Sequence, residues 1–190
     1  MSVCKACVRR SDEADEVSGM KDEMDGSQRP ERARNPTTVA RKSERELVVT
    51  RSFDSPARAV FDAWTRPELF KLWWAPRSTG VALSACEIDA RTGGGYRITF
   101  GDGGSAAMTF FGRYLEVTPP TRLVWTNEES GDAPLTTVTF EARGERTLLV
   151  LSELYRSADR VADAVAGMQA MTPEQFAQLD EVLDSLRRPA

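Results

Sequence analysis

Histidine is absent from the 190-residue chain. Without an imidazole there is no Ser-His-Asp or Cys-His nucleophile, no histidine general base and no histidine metal ligand. Cysteine is scarce: Cys4, Cys7 and Cys86 are all there is. Cys4-Lys5-Ala6-Cys7 has the C-x-x-C spacing, but a redox pair needs a βαβ context and a structural zinc needs four ligands. Both cysteines therefore read as free tail thiols, and no metal or cofactor is expected. Long apolar runs are missing too. No stretch approaches the ~18 residues of a transmembrane helix, and Arg9-Arg10 is followed by no apolar leader segment. The expectation is a cytoplasmic protein with reduced thiols. Excess positive charge is also lacking: 25 Lys+Arg against 29 Asp+Glu give a net charge of −4. Electrostatics thus offer no reason to expect nucleic-acid binding.

Aromatic residues are missing from residues 1–45, where the only valines, leucines or isoleucines are Val3, Val8, Val17 and Val39. Such a segment cannot bury enough apolar surface to offset the entropy of ordering. Residues 1–45 are expected to be a disordered polar tail, and residues 46–190 a folded domain that carries the negative charge.

The remainder is rich in pattern. Residues 46–53 (ELVVTRSF) read as a strand. Ser55-Pro56 then opens a helix, with Ser55 at the N-cap and Pro56 at the first helical position. Its apolar face is Ala57, Val60, Phe61 and Trp64. Thr65-Arg66-Pro67-Glu68 has capping-box spacing and predicts a second short helix, stopped at Ala75-Pro76. Six strands follow at hairpin spacing: 81–89, 96–100, 106–117, 122–127, 135–142 and 147–155. Gly112 marks a bulge. Gly101-Asp102-Gly103-Gly104 is a hairpin turn. Gly93-Gly94-Gly95 enters a strand rather than a helix, so it is a bend and not a phosphate loop. The end is helical, with a break at Thr172-Pro173 where Thr caps and Pro restarts. This is an α+β order: about seven antiparallel strands curved around an amphipathic C-terminal helix, with two short helices after the first strand.

A sheet gripping a helix can leave a site between them. Tyr96, Phe110, Trp125 and Met168 are placed to line that space. In the Trp73-Trp74 pair one ring packs inward, and Trp74, about 100° further round, points to the groove mouth. Glu153 shares the phase of Leu149 and Leu151, so it faces the same interior, where a carboxyl's pKa would rise. Glu87, Asp89 and Arg97 are further polar candidates on neighbouring strands.

The segments TRSFDSPARAVFDAWTRPELFKLWWAP, CEIDARTGGGYRITF, GRYLEVTPPTRLVWT and VTFEARGERTLLVLSELY resemble the family named after the activator of the heat-shock-protein-90 ATPase, in its single-domain bacterial form. The resemblance spans 46–190. It implies a START-like helix-grip fold whose groove holds apolar or amphipathic ligands. Three departures stand out. The Thr172-Pro173 break interrupts a helix that the bacterial members run unbroken, predicting a kink. The Asn- and Trp-rich N-terminal motif of the eukaryotic cochaperone has no counterpart. The tail itself lies outside the pattern.

The function expected is non-catalytic binding of a small apolar or amphipathic molecule by Trp74, Tyr96, Phe110, Trp125, Glu153 and Met168. Two alternatives remain open. One is an ATPase-activating partner of a heat-shock-protein-90-type chaperone. The other is a cyclase- or dehydratase-type enzyme using Glu153 or Asp89.

Overall fold

The strand patterns assemble into one sheet. In the computed structural model the described residues are 35–101, 107–129, 131 and 133–187. The eight strands are β1 (Thr38–Arg41), β2 (Glu46–Phe53), β3 (Leu83–Ile88), β4 (Gly95–Phe100), β5 (Met108–Thr118), β6 (Arg122–Asn127), β7 (Leu135–Arg143) and β8 (Arg146–Leu154). Their spatial order is β1-β2-β8-β7-β6-β5-β4-β3, and every adjacent pair is antiparallel. Between β2 and β3 run α1 (Ala57–Thr65), α2 (Pro67–Phe70) and a 3-10 turn, Arg77–Thr79; α3 (Val161–Arg187) follows β8. The α+β arrangement read from the sequence, an antiparallel sheet with a long C-terminal helix, is the observed one.

Period-two alternation puts one residue set on the inner face. Leu47, Val49 and Phe53 of β2, Leu123 and Trp125 of β6, Val138 and Phe140 of β7, and Leu149 and Leu151 of β8 are all buried. Phe176, Leu179 and Leu183 of α3, with Phe61 and Trp64 of α1, close the same core. Phe53 and Phe176 meet edge to face at 5.5 Å, and Phe61 meets Phe140 in the same way at 5.4 Å.

Strand β1 lies within the stretch assigned to the tail. It pairs Thr38–Arg41 with Leu47–Thr50, opposite Val49 through Val39, and the Arg41 guanidinium closes the turn on the carbonyls of Ser43 and Glu44 at 3.0 Å. A composition argument misses it because the strand needs only one valine and a ready ladder on β2. Residues 1–34, with Cys4 and Cys7, lie outside the described residues, as does most of the 101–104 turn.

Three caps differ from expectation. Helix α1 begins at Ala57 with Pro56 at its N-cap, while Ser55 is buried and its carbonyl accepts from the Thr147 hydroxyl at 2.6 Å. Arg66 rather than Thr65 flanks α2, because the Thr65 hydroxyl donates back to the Phe61 carbonyl at 2.9 Å. Helix α3 is continuous through Pro173, so the expected break is not there. Instead of capping a new helix, the Thr172 hydroxyl donates to Met168 Sδ at 3.3 Å inside α3. Long helical flanks packed on the sheet override the local cost of one proline.

Candidate functional site

The register aligns buried residues in rows across the inner face. One row runs Leu47, Glu153, Thr136, Trp125, Tyr114 over β2, β8, β7, β6 and β5. Directly opposed side chains in such a row have Cβ atoms about 4.5–5.5 Å apart. A neighbouring row sets Asn127 opposite Gly112, and Gly112 opposite Tyr96. The polar members are all buried: Tyr96, Tyr114, Trp125, Asn127, Thr136 and Glu153.

Gly112 is what lets this cluster close. A Cβ there would stand 2.0 Å from the Thr126 carbonyl and 2.6 Å from the Tyr96 hydroxyl. The Tyr96 ring therefore lies over the glycine, and its hydroxyl donates to Asn127 Oδ1. The Tyr96 ring meets Tyr114 at 5.8 Å, and Tyr114 meets Trp125 at 6.3 Å. Burial raises the phenol pKa of both tyrosines, so both stay protonated donors.

Glu153 is fully enclosed. Burial pushes its pKa above the usual carboxylate range, against the hydrogen bond donated by the Tyr155 hydroxyl to Oε2. Beside it, Thr136 Oγ1 and Trp125 Nε1 are buried with no hydrogen-bond partner among the described residues. Buried polar atoms are nearly always partnered, so two neighbouring exceptions in one row are notable.

The other expected residues are placed as follows. Trp74 is half-buried, stacked on Phe70 at 4.7 Å and edge-on to Trp64 at 5.8 Å. Phe110 sits opposite Ile98 on β5, toward the β4 side, with its ring against Phe100 at 5.6 Å. Met168 is buried in the first half of α3. Trp125, Glu153 and Tyr96 are thus brought together by the register, while Phe110 lies at the β4 side of the sheet. Glu87 and Arg97 oppose each other on the solvent face, and Arg97 caps the Phe111 ring at 5.2 Å. Asp89 pairs with Arg91 at 2.9 Å and is exposed to solvent. Neither Asp89 nor Arg97 reaches the interior.

Sequence reading missed Thr136 and Tyr155, and also a clasp on α3. Gln178 donates to the carbonyls of Trp73 and Ala75 at 3.0 and 2.8 Å and accepts from the Arg77 N–H at 2.9 Å. Gln175 donates to the Trp74 carbonyl at 2.5 Å, and Glu174 accepts from the Ser78 N–H at 3.0 Å. These side chains satisfy the Trp73–Ser78 loop, which has no ladder partner of its own. The signal available was two glutamines a turn apart, at i and i+3, on an otherwise apolar stripe.

A separate groove of about 740 Å³ lies elsewhere, bordered by Asn35–Thr37, Arg51, Asp54 and the α3 residues around Pro173 and Asp180. None of the six expected residues borders it. Arg51 and Asp180 form an ion pair there, and burial raises the Asp180 pKa while Arg51 opposes the rise. Cys86, buried in β3, has its pKa pushed up to about 11 by burial, which makes it an inert thiol. Among the described residues there is no cluster of metal-ligating side chains, and no helix is long and apolar enough to cross a membrane.

The sequence profile described as "Activator of Hsp90 ATPase homolog 1-like protein" matches residues 54–184. No curated protein matches. Among solved structures, a protein from Rhodobacter sphaeroides is similar with a TM-score of 0.72 at 23% identity, covering 80% of this chain and 100% of that one. A protein from Nitrosomonas europaea gives 0.69 at 21% identity, with 78% and 99% covered. An AHSA1-like protein from Aeromonas hydrophila gives 0.61 at 20% identity, with 75% and 97% covered. At these identities the likeness is one of fold.

Proposed function

Because the chain belongs to the activator of Hsp90 ATPase homolog 1-like family, with its helix-grip fold, we propose that it binds a small apolar or amphipathic molecule between sheet and helix without chemical conversion. One observation carries the reading. Thr136 Oγ1 and Trp125 Nε1 are buried side by side on the inner face and lack partners among the described residues. Leaving such groups unpaired costs about 1–3 kcal/mol each. A ligand that supplies the missing partner recovers that cost on binding. The aromatic surround of Tyr96, Tyr114, Trp64 and Trp125 gives the apolar contact. Trp74, Phe110 and Met168 extend the apolar wall in this reading.

Catalysis fits poorly. Of the two carboxylates considered for such chemistry, Asp89 is on the solvent side in an ion pair with Arg91, and Glu153 is sealed in the interior.

The reading is tested by native mass spectrometry of the purified protein, with titration of the neutral apolar fluorophore N-phenyl-1-naphthylamine. A co-purifying small mass, or saturable one-to-one fluorophore binding that quenches tryptophan emission, is expected. A bare polypeptide mass together with non-saturable partition of the fluorophore would count against it.

A further inference from the structure

The groove of about 740 Å³ between α3 and residues 35–37 is bordered by none of the interior polar residues, and its own chemistry points to a different occupant. Arg51 borders it with a side chain only 10% exposed. The guanidinium donates through Nη1 to the Thr37 hydroxyl at 2.9 Å and through Nη2 to Asp180, and it lies over the Phe53 ring at 5.5 Å. Its Nε is buried and has no hydrogen-bond partner among the described residues. An arginine nitrogen only donates, so whatever meets it must accept.

On the α3 wall the need is reversed. Pro173 has no N–H, so the carbonyl of Gln169, four residues earlier, lacks its usual helical donor. Both residues border the groove. So do five carboxylates, Asp54, Glu174, Asp180, Glu181 and Asp184, against two arginines, Arg51 and Arg187. Arg187 pairs with Asp184, and two arginines from outside join the set: Arg146 meets Asp54 at 2.6 Å and Arg77 meets Glu181 at 2.8 Å. Glu174 accepts from the Ser78 N–H. Five carboxylates against four arginines leave one negative charge over. The Asp184, Asp54 and Glu181 pairs are about half exposed, so exchanging an arginine for an incoming cation costs little. Burial raises the Asp180 pKa, Arg51 opposes the rise, and Asp184 and Asp54 push it up further, so an added cation is favoured there.

The occupant therefore needs a cation with N–H donors and, beside it, an acceptor. An anion meets the surplus of carboxylates. An apolar molecule finds only Leu183 and a few alanines and prolines. Among the described residues no three acidic groups are placed to hold a metal ion. A polyamine supplies cations but nothing for Arg51 Nε. A basic residue within a polypeptide supplies both, through its side chain and its backbone carbonyl. The spacing agrees: Asp180 and Asp184 are four residues apart on α3, about 6 Å along its axis. Alternate residues of an extended chain, which point the same way, are about 6.6 Å apart.

We propose that this groove docks an extended basic segment of a partner polypeptide, with its arginine or lysine side chains on Asp180, Asp184 and the Gln169 carbonyl and a backbone carbonyl on Arg51 Nε.

The test is NMR titration of the full-length, nitrogen-15-labelled protein with three probes: a capped Ala-Arg-Ala-Arg-Ala peptide, its Ala-Glu-Ala-Glu-Ala counterpart, and spermidine. The arginine peptide is expected to give saturable shifts along residues 169–184 and at the Arg51 Nε–H. The glutamate peptide should bind at least about tenfold more weakly, and spermidine about threefold more weakly with no shift at the Arg51 Nε–H. Asp184→Asn, at an exposed position, should weaken the arginine peptide about threefold. Pro173→Ala, which returns an N–H to the Gln169 carbonyl, should weaken it by about the same factor while raising the Tm. Absence of saturation by the arginine peptide, or equal binding of the glutamate peptide, overturns the site. Equal binding of spermidine, or no response at the Arg51 Nε–H, overturns the polypeptide assignment, and an unchanged affinity in Pro173→Ala overturns the role of the carbonyl. Saturation by N-phenyl-1-naphthylamine should be the same with and without the arginine peptide, so failure of the interior reading and failure of this site are read separately.

Discussion

Two buried threonines, one residue type on the same face of one sheet, end up in opposite chemical conditions. Thr147, at the β8 end nearest α1, is fully enclosed and donates to the Ser55 carbonyl at 2.6 Å. Thr136, at the other end of the neighbouring strand, is equally enclosed and has no partner among the described residues. The tryptophans repeat the contrast. Trp73 Nε1 donates to the Ala63 carbonyl at 3.0 Å, whereas Trp125 Nε1 has no such acceptor. Trp64 bridges the two regions: its ring touches Trp73, Phe140 and Phe176 on one side and Trp125 on the other, and its own N–H is unpartnered among the described residues. One end of the inner face is thus a satisfied aromatic core that holds the fold. The other, on β6 and β7, keeps Trp125 Nε1 and Thr136 Oγ1 without a partner among the described residues. Stability belongs to the first region, and the binding proposed above falls in the second.

The largest effect should come from breaking the satisfied end. Phe176→Ala removes a ring packed on Phe53, Trp64 and Trp73, and is expected to cost about 3–5 kcal/mol in urea unfolding. Gln178→Leu should cost about 2–4 kcal/mol, because the Trp73 and Ala75 carbonyls and the Arg77 N–H lose their partner together. Thermal melts of the same variant should show that loss as a lowered Tm.

Changes near the polar row should act more gently. Gly112→Ala drives a methyl into the Tyr96 ring and the Thr126 carbonyl. It is expected to cost about 1–3 kcal/mol and to weaken the Tyr96–Asn127 hydrogen bond, visible as a changed tyrosine ultraviolet difference spectrum. Glu153 gives a pH signature. Its folded pKa lies above the unfolded value of 4.5, so between those two values the native state holds the extra proton. Its contribution to stability is therefore full below pH 4.5 and is lost as pH rises through the folded pKa. Glu153→Gln, which cannot titrate, should lack that decline. Urea unfolding of both proteins across pH 4 to 8 should show the variant gaining on the wild type as pH rises, and parallel curves would remove the burial argument.

Much of the fold was legible because the period-two runs in β2 and β4–β8 and the apolar stripe of α3 are strong, local signals. The caps were less so. Ser55 and Thr65 carry the residue types of an N-cap, but tertiary contacts drew the Ser55 carbonyl to Thr147 and the Thr65 hydroxyl back to α1. Thr172-Pro173 has every local mark of a helix restart, and packing of α3 carried the helix through. Of the polar row, Glu153 and Trp125 were visible from strand phase alone. Thr136 was not, since a threonine on a strand is ordinary, and its meaning appears only when the register sets it between Trp125 and Glu153. Asp89 and Arg97 fell out of the site because the sheet turns Arg97 outward and the bend at Gly94 holds Asp89 beside Arg91.

The most direct test of the division between the two regions is the unfolding free energy of Thr136→Val compared with Thr147→Val, by urea titration of ligand-free protein. At Thr147 the change deletes a satisfied hydrogen bond and orphans the Ser55 carbonyl, so a loss of about 1–3 kcal/mol is expected. At Thr136 it replaces an unpartnered hydroxyl by a methyl of the same size, so stability should stay within about 0.5 kcal/mol of the wild type or rise. A loss at Thr136 as large as that at Thr147 would mean that its hydroxyl serves the fold, and would contradict the assignment of the polar row to a ligand.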